Sequence, residues 1–498
     1  MEFHSKMPQE IDDKLFPPPV HISLAKRDNA AFVPRIWPGV SAASTNTLRS
    51  VLKDNHIRWH VFFNQRGFHN HIPHAALALW CLGADASILE ASYKTHSDIY
   101  ERPAFASPGP ITQETWKDHL SDEKYYAAYV EFFTQQYETK TFTDMLEEYV
   151  FAENANWVEN TPKQPEMVPR FIDGLFHALI HTGYGVEFGV PGVSLEGLAQ
   201  AAVHDSTCGS TIPASSLDTG IDGDLASRFA ANIGLSETKD VHAFSILARV
   251  LTDPRFASNG KPDDAVRFAL DTMRVHGKAI AKHVDQWTLD GDLSKKVEEL
   301  LWTATLVYGV GGLEANGGFN ADFFLIHLVT SSLFLPTIFS PLKRNSQIQL
   351  LKAYFGSLIA WYIGRGRPEL DIKSFFANPS TLLLTPPGPH PTQNKVAQPS
   401  PTSPHEITPN PWLQIIQSTL VHPDDHVCKL QRALADFGAF LGDVKKGCFG
   451  GTELKDAEMI DGTLFLRTAG LTAGRVGWVR EGEPQLMEAS AWDRRGFF

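Results

Sequence analysis

The chain is short of cysteine, of concentrated positive charge and of long uninterrupted apolar runs, and each shortage removes a class of protein. Cys81, Cys208, Cys428 and Cys448 are the only cysteines among 498 residues, and no two form a CxxC pair. Thiols so few and so dispersed build neither a disulfide scaffold nor a thiolate metal cluster, and they suit a reducing, cytoplasmic setting. The formal net charge is −13 and no dense Lys/Arg run occurs. Such a surface repels nucleic-acid phosphates, so nucleic acid is not an expected partner. The apolar run around 323–339 is interrupted by His327, Thr330, Ser331, Ser332 and Pro336. That is too polar for a membrane span and reads as a buried helix. The opening MEFHSKMPQEIDDK carries acids and lacks the apolar centre of a secretory signal.

Several catalytic signatures are missing as well. GVGGLEANGG (309–318) lacks GxGxxG spacing and follows a helical pattern instead of a strand, so it reads as a helix stop and a loop. There is no P-loop, PGVSLEG is not a GxSxG nucleophile elbow, and no HExxH occurs. These absences argue against a flavin or nicotinamide dinucleotide fold, a nucleotidase, a serine hydrolase and a zinc protease.

What remains is a chain with 43% hydrophobic residues and ample material for one large core. Helical periodicity dominates. It predicts helices over 46–55, 72–83, 122–148, 169–181 (stopping at Gly183), 241–251, 265–283, 293–308, 322–335, 347–363 and 423–441, with another beginning at Ser194. GYGVEFGVPG reads as a tight connection. Nine prolines between Thr385 and Trp412 prevent a packed element there. The expected fold is all-α: an N-terminal arm (1–45), a helical core (46–384 and 412–460), a Pro-rich insert (385–411) and a short irregular or β tail (461–498).

Against that background, histidines stand in pairs at helical spacing: His71 and His74 in NHIPH, His177 and His181 in FHALIH, His422 and His426 in HPDDHVCK. Residues three or four apart share a helix face, and imidazoles on facing helices are how helical proteins build metal sites. Each histidine taken singly is as readily a core residue bonded to a carbonyl. Three pairs in apolar surroundings, with His327 inside FFLIHLVTSSLFL, favour a site. Buried imidazoles without thiolates suit iron, copper or zinc. Glu187, Glu196, Glu314 or Asp425 would complete the ligand set, or Lys429 if carbon dioxide converted its amine to an anionic carbamate. His422 is expected at the cap of the 423–441 helix, with Pro423 at its first position.

NHIPHAALALWCLGA, GLFHALIHTGYGVEFGVPGVSLEGLAQAA, HLVTSSLFL, GRGRPEL and HPDDHVCKLQRAL resemble, in that order, the signature segments of the questin oxidase family, across about residues 50–445. The resemblance implies a helical fungal oxidoreductase of polyketide biosynthesis. Such an enzyme inserts oxygen and opens a ring of an anthraquinone, xanthone or related polycyclic phenol, with a small aromatic polyketide and dioxygen as its partners. Members are described as Baeyer–Villiger oxidases with NADPH dependence. The resemblance also admits a non-haem iron site of histidines and a carboxylated lysine. On it, His74, His181, His327, His426 and Lys429 are expected to hold metal, and His71, His177 and Tyr184 to act on substrate. Trp80, Trp302 and Arg365 join Tyr184 as pocket candidates by chemical type, with core packing the plainer role for both tryptophans. The rival readings are a metal-free NADPH-dependent oxidase and a non-catalytic helical binding protein.

Overall fold

In the computed structural model helices follow one another along nearly all of the chain, and among the described residues the β contacts are isolated bridges such as Leu313 with Phe319. The structure describes residues 13–19, 36–100, 102–212, 240–257, 265–382, 386, 396, 408–479 and 492–498. The architecture is all-α, as expected. The Pro-rich insert lies almost wholly outside the described residues, as does much of the N-terminal arm.

The helices that hold the site are labelled here in chain order: α1 (Ala42–Arg58), α2 (Ile72–Cys81), α3 (Met167–Phe188), α4 (Pro191–Val203), α5 (Leu293–Gly309), α6 (Ile326–Ser332), α7 (Asp425–Leu441) and α8 (Thr463–Val476). α1 starts inside the expected arm because Ser41 and Ser44 form a reciprocal capping box. Every residue of α2 is buried, as its apolar composition requires. α7 starts at Asp425, since the Asp424 carboxylate accepts the His426 N–H at 2.8 Å and caps the helix. This corrects the expectation that His422 is the cap, and it leaves His422 off the helix that carries His426.

Three further expectations change. The predicted 122–148 helix is broken: Tyr126–Tyr137 ends before Thr141, whose capping box with Asp144 starts a new short helix. α3 does not stop at Gly183 but runs to Phe188. There the glycines serve close packing instead of a turn, because a Cβ at Gly185 would overlap the backbone of Ser194 on α4. The region read as strand-like forms α8, in which Leu464, Phe465, Thr468, Ala469, Thr472 and Ala473 are buried at helical spacing.

One continuous apolar core joins these elements. Within it α2 packs on α3 and α7, and α6 packs on α3 and α7, so that α2, α3, α6 and α7 surround a common interior. No helix among the described residues is long and apolar enough to cross a membrane.

Candidate metal centre

One imidazole on or immediately before each of those four helices joins a common cluster in the interior. His71 stands immediately before α2, fixed by its backbone N–H donating to Tyr100 Oη at 2.9 Å while that hydroxyl donates to Asn70 Oδ1. His177 lies on α3, His327 on α6 and His426 on α7. Ring centroids are 5.0 Å apart for His71 and His177, 5.0 Å for His177 and His327, 5.4 Å for His327 and His426, and 4.7 Å for His426 and His71. The four rings form a closed circuit.

Their hydrogen bonds share one pattern. His71 Nδ1 donates to Asp425 Oδ2 at 2.7 Å, and His426 Nδ1 lies 2.7 Å from Asp425 Oδ1. His327 Nδ1 donates to the Phe323 carbonyl at 2.9 Å, and His177 Nδ1 to the Gly174 carbonyl. Carbonyl and carboxylate oxygens only accept, so Nδ1 carries the proton and a neutral ring presents a lone pair at Nε2. The Nε2 atoms of His327 and His426 are buried without a partner. Those of His71 and His177 face each other at 2.8 Å.

Burial, reinforced by the Lys429 charge, pushes His71 down to about 3, and burial with neighbouring histidines holds His177 and His327 well below the usual histidine value. These rings are therefore neutral, and two lone pairs at that distance repel unless a cation or proton lies between them. His426 is shifted the other way: burial disfavours its charge, but the adjacent Asp425 and Asp424 carboxylates prevail. Imidazoles fixed through Nδ1–H to oxygen, with Nε2 turned inward, are the usual form of histidine ligands to a metal. The donor set fits a first-row ion.

Asp425, His71 and His426 also present ligand atoms within 4.8 Å of one another. Because the Asp425 carboxylate already bonds both Nδ1 atoms, it acts as their anchor. Lys429, one turn beyond His426 on α7, is buried, and burial holds its amine below the usual lysine range against the opposing pull of Asp425. Its charge disfavours protonation of all four circuit imidazoles.

The expected division of labour therefore shifts. His71 and His177, expected to act on substrate, sit in the circuit. His181, expected as a ligand, has both nitrogens engaged, Nδ1 with His74 Nε2 at 3.0 Å and Nε2 with Glu196 Oε2 at 2.9 Å. His74 is bound into that separate chain. Tyr184 stacks on His74 at 5.4 Å. Arg365 is no pocket residue: it is fully buried, donates to Asp322 Oδ2 at 2.7 Å and to the Arg494 carbonyl, and anchors the C-terminal segment. Trp302 packs on Phe449 and Phe465, and Trp80 on Phe188, as core residues. His422 accepts the Asp424 N–H and stays outside the circuit.

Two histidines escaped the search for helical pairs. His69 stacks on His177 at 3.9 Å and His204 on His69 at 5.3 Å. His69 stands two residues from His71 in an irregular stretch, so no helical spacing marks it, and only an alternation rule would have found it. α3 is also broken just before His177: Gly174, Leu175 and Phe176 have φ of 59°, 56° and 63°. Left-handed backbone at Leu and Phe is strained. It is held by the Asp173 carboxylate, which accepts from Thr207 N and Oγ1 at 2.6 Å each. The strain turns the Gly174 carbonyl onto His177 Nδ1. Gly174 is required here because a Cβ would overlap the His204 ring.

Two open cavities among the described residues, of about 480 and 320 Å³, are lined by Glu147, Lys343 and Gln349 and by Trp157, Glu166 and Gln164 respectively. Neither is lined by a histidine. The titratable groups converge instead in the buried circuit.

A family model described as questin oxidase-like matches residues 68–434, a span that contains all four circuit imidazoles and Lys429. The Baeyer-Villiger monooxygenase AacuH of Aspergillus aculeatus is 28% identical over 365 residues, covering 69% of this chain and 70% of its own. The questin oxidase of Aspergillus terreus is 24% identical over 416 residues, covering 80% and 81%. The oxidoreductase AflY of Aspergillus parasiticus is 23% identical over 432 residues, covering 84% and 77%. With the family span and the histidine circuit coinciding, the chain belongs to the questin oxidase-like family and is an oxygenase.

Proposed function

We propose that this chain inserts oxygen into, and opens, a ring of an anthraquinone, xanthone or similar polycyclic phenol, at a non-haem iron centre held by the Nε2 atoms of His71, His177, His327 and His426. The observation that carries the reading is the 2.8 Å approach of two neutral Nε2 atoms, beside two more Nε2 atoms with no partner. The family relationship supports the reaction class, since relatives bear the names Baeyer-Villiger monooxygenase and questin oxidase. Iron bound there would supply activation of dioxygen.

The chain's own residues do the rest. Asp425 holds the His71 and His426 rings, and the Phe323 and Gly174 carbonyls hold the other two, so the ligand geometry exists before binding. Burial excludes bulk water. Lys429 completes the set as a carbamate: its neutral amine adds to carbon dioxide, one proton leaves to solvent, and the anion balances metal charge that four neutral imidazoles do not. Burial favours the neutral amine from which that addition starts.

The test is metal analysis of protein purified without chelators, with oxygen uptake measured on a hydroxyanthraquinone. Near-stoichiometric iron in the parent, lost in His327→Ala, is the expected result. Labelled bicarbonate should give a lysine carbamate carbon signal that disappears in Lys429→Ala. A metal-free parent that turns substrate over with NADPH would replace this reading with the metal-free oxidase.

A further inference from the structure

The chain of His74, His181 and Glu196 is closed from the N-terminal side, where His56 Nδ1 on α1 donates to Glu196 Oε1 at 2.5 Å. The circuit is closed from the other end of the sequence. Residues 492–498 lie outside the 68–434 span matched by the family model, yet they reach the two places that hold His327 and His426.

Neither of those anchors lies inside a helix: Phe323 precedes α6 and Asp424 precedes α7. The internal hydrogen bonds of a helix do not fix the residues before it. His327 N–H bonds to the Phe324 carbonyl, which leaves the Phe323 carbonyl to the His327 ring. Residues 321–323 are instead held by the C-terminal segment, through a parallel bridge between Asp322 and Asp493. Phe323 N donates to the Asp493 carbonyl at 2.8 Å, Asp493 N to the Ala321 carbonyl at 2.9 Å, and Ala321 N to Asp493 Oδ2 at 2.9 Å. The Phe323 ring lies 5.2 Å from that of His327 and 4.8 Å from that of His426, and the Arg494 guanidinium stands 4.4 Å from its centroid.

Asp424 is held by the same segment. Its Oδ1 accepts the His426 N–H and lies 3.1 Å from His426 Nδ1, while its Oδ2 accepts from Trp492 Nε1 at 2.9 Å. Trp492 is buried. Farther along, Arg365 ties the segment to the core, donating to the Arg494 carbonyl and accepting from Phe497 N, each at 2.9 Å.

We propose that Trp492–Phe498 is a clasp that fixes two of the four ligand rings, Trp492 acting through Asp424 on His426 and Asp493 through the Phe323 carbonyl on His327. Both are positioning residues. The Trp492 indole only donates, and the Asp493 oxygens are engaged by Ala321 N and Arg475. That the rings are ligands rests on the iron reading above; that the clasp fixes their backbone does not.

The test uses the full-length protein loaded with cobalt(II), whose visible absorption reports ligand geometry, with chelator competition for affinity and amide hydrogen exchange for the backbone. Trp492→Phe keeps a ring and removes the donor, and Asp493→Ala removes the acceptor for Ala321 N. Arg495→Ala, which removes an exposed partner of Glu314 in the same segment, is the control. Trp492→Phe and Asp493→Ala should each weaken cobalt binding ~10-fold and shift its absorption. Exchange should quicken at 424–427 in the first and at 321–323 in the second, while Arg495→Ala matches the parent throughout. Variants that melt earlier but keep the parent's cobalt affinity and spectrum would show a merely structural role and overturn the clasp. Equal weakening in Arg495→Ala would overturn it too, by showing general loosening. Should one of the two variants fail to fold, the other decides. A parent that binds no metal would count against the iron reading alone, and exchange at 321–323 and 424–427 would still decide the clasp.

Discussion

The circuit of His71, His177, His327 and His426 and the chain of His74, His181, Glu196 and His56 draw on the same two sequence pairs and end with opposite properties. In each pair the first histidine enters the circuit and the second enters the chain. In the circuit every Nδ1 meets an oxygen and every Nε2 is left bare or faces another Nε2. In the chain both nitrogens of His181 are consumed and a carboxylate ends the sequence of donors. Helical spacing gathers imidazoles on one face of a helix. The acceptor standing opposite each ring decides whether it can ligate.

Removing one circuit imidazole should break this contrast most severely. His177→Ala or His327→Ala is expected to weaken iron binding by more than ~100-fold and to abolish oxygen uptake, whereas Glu196→Ala should retain its iron; equal metal loss in both would erase the distinction between the two sets. Asp425→Asn comes next, because it loosens two ring anchors at once, and titration with a competing chelator should show ~10–100-fold weaker binding. In the chain the cost is stability. Glu196→Ala strands the ring N–H groups of His56 and His181, and a denaturant titration should report a loss of about 2–3 kcal/mol.

Acid separates the two regions by pH window. His71 is depressed in the folded state to about 3, so the unfolded chain takes up its proton first and the circuit's contribution is complete above about 6.5 and lost as pH falls toward 3. Glu196 is depressed from an ordinary value near 4.5 to about 2, so its contribution is complete above about 4.5 and lost as pH falls toward 2. Stability measured against pH should flatten between 6.5 and 4.5 in His71→Gln and below 4.5 in Glu196→Gln; matching slopes in both variants would contradict the assignment. The smallest effect is expected at His422, which shares the sequence pattern and neither site. His422→Ala should keep its iron and change stability by less than about 1 kcal/mol.

Much of this was legible before any tertiary structure. The all-α class and the burial of α2 and of His327 follow from periodicity and composition. What failed did so for local physical reasons. Glycines at 183 and 185 read as a stop because their use, admitting Phe334 and Ser194 at close range, lies in the partner helices. The stretch 464–478 reads as strand-like, yet packing selects the 3.6-residue period over Thr463–Val476. His69 was invisible to a helical rule, and the kink at Gly174 to Phe176 depends on Asp173 meeting Thr207, a contact 34 residues away.

The sequence by itself determined which chemistry was present: many imidazoles in apolar helices, few thiols and no dinucleotide or phosphate loops. It also set His177 and His181 on one face of α3, since that follows from the rise and turn of an α-helix. Only the tertiary structure decided which member of each pair turned to the circuit. That choice depends on carbonyls at Gly174 and Phe323 and on carboxylates at Asp425 and Glu196, and their positions relative to the rings are fixed by the packing of α2, α3, α4, α6 and α7, not by spacing along any one of them.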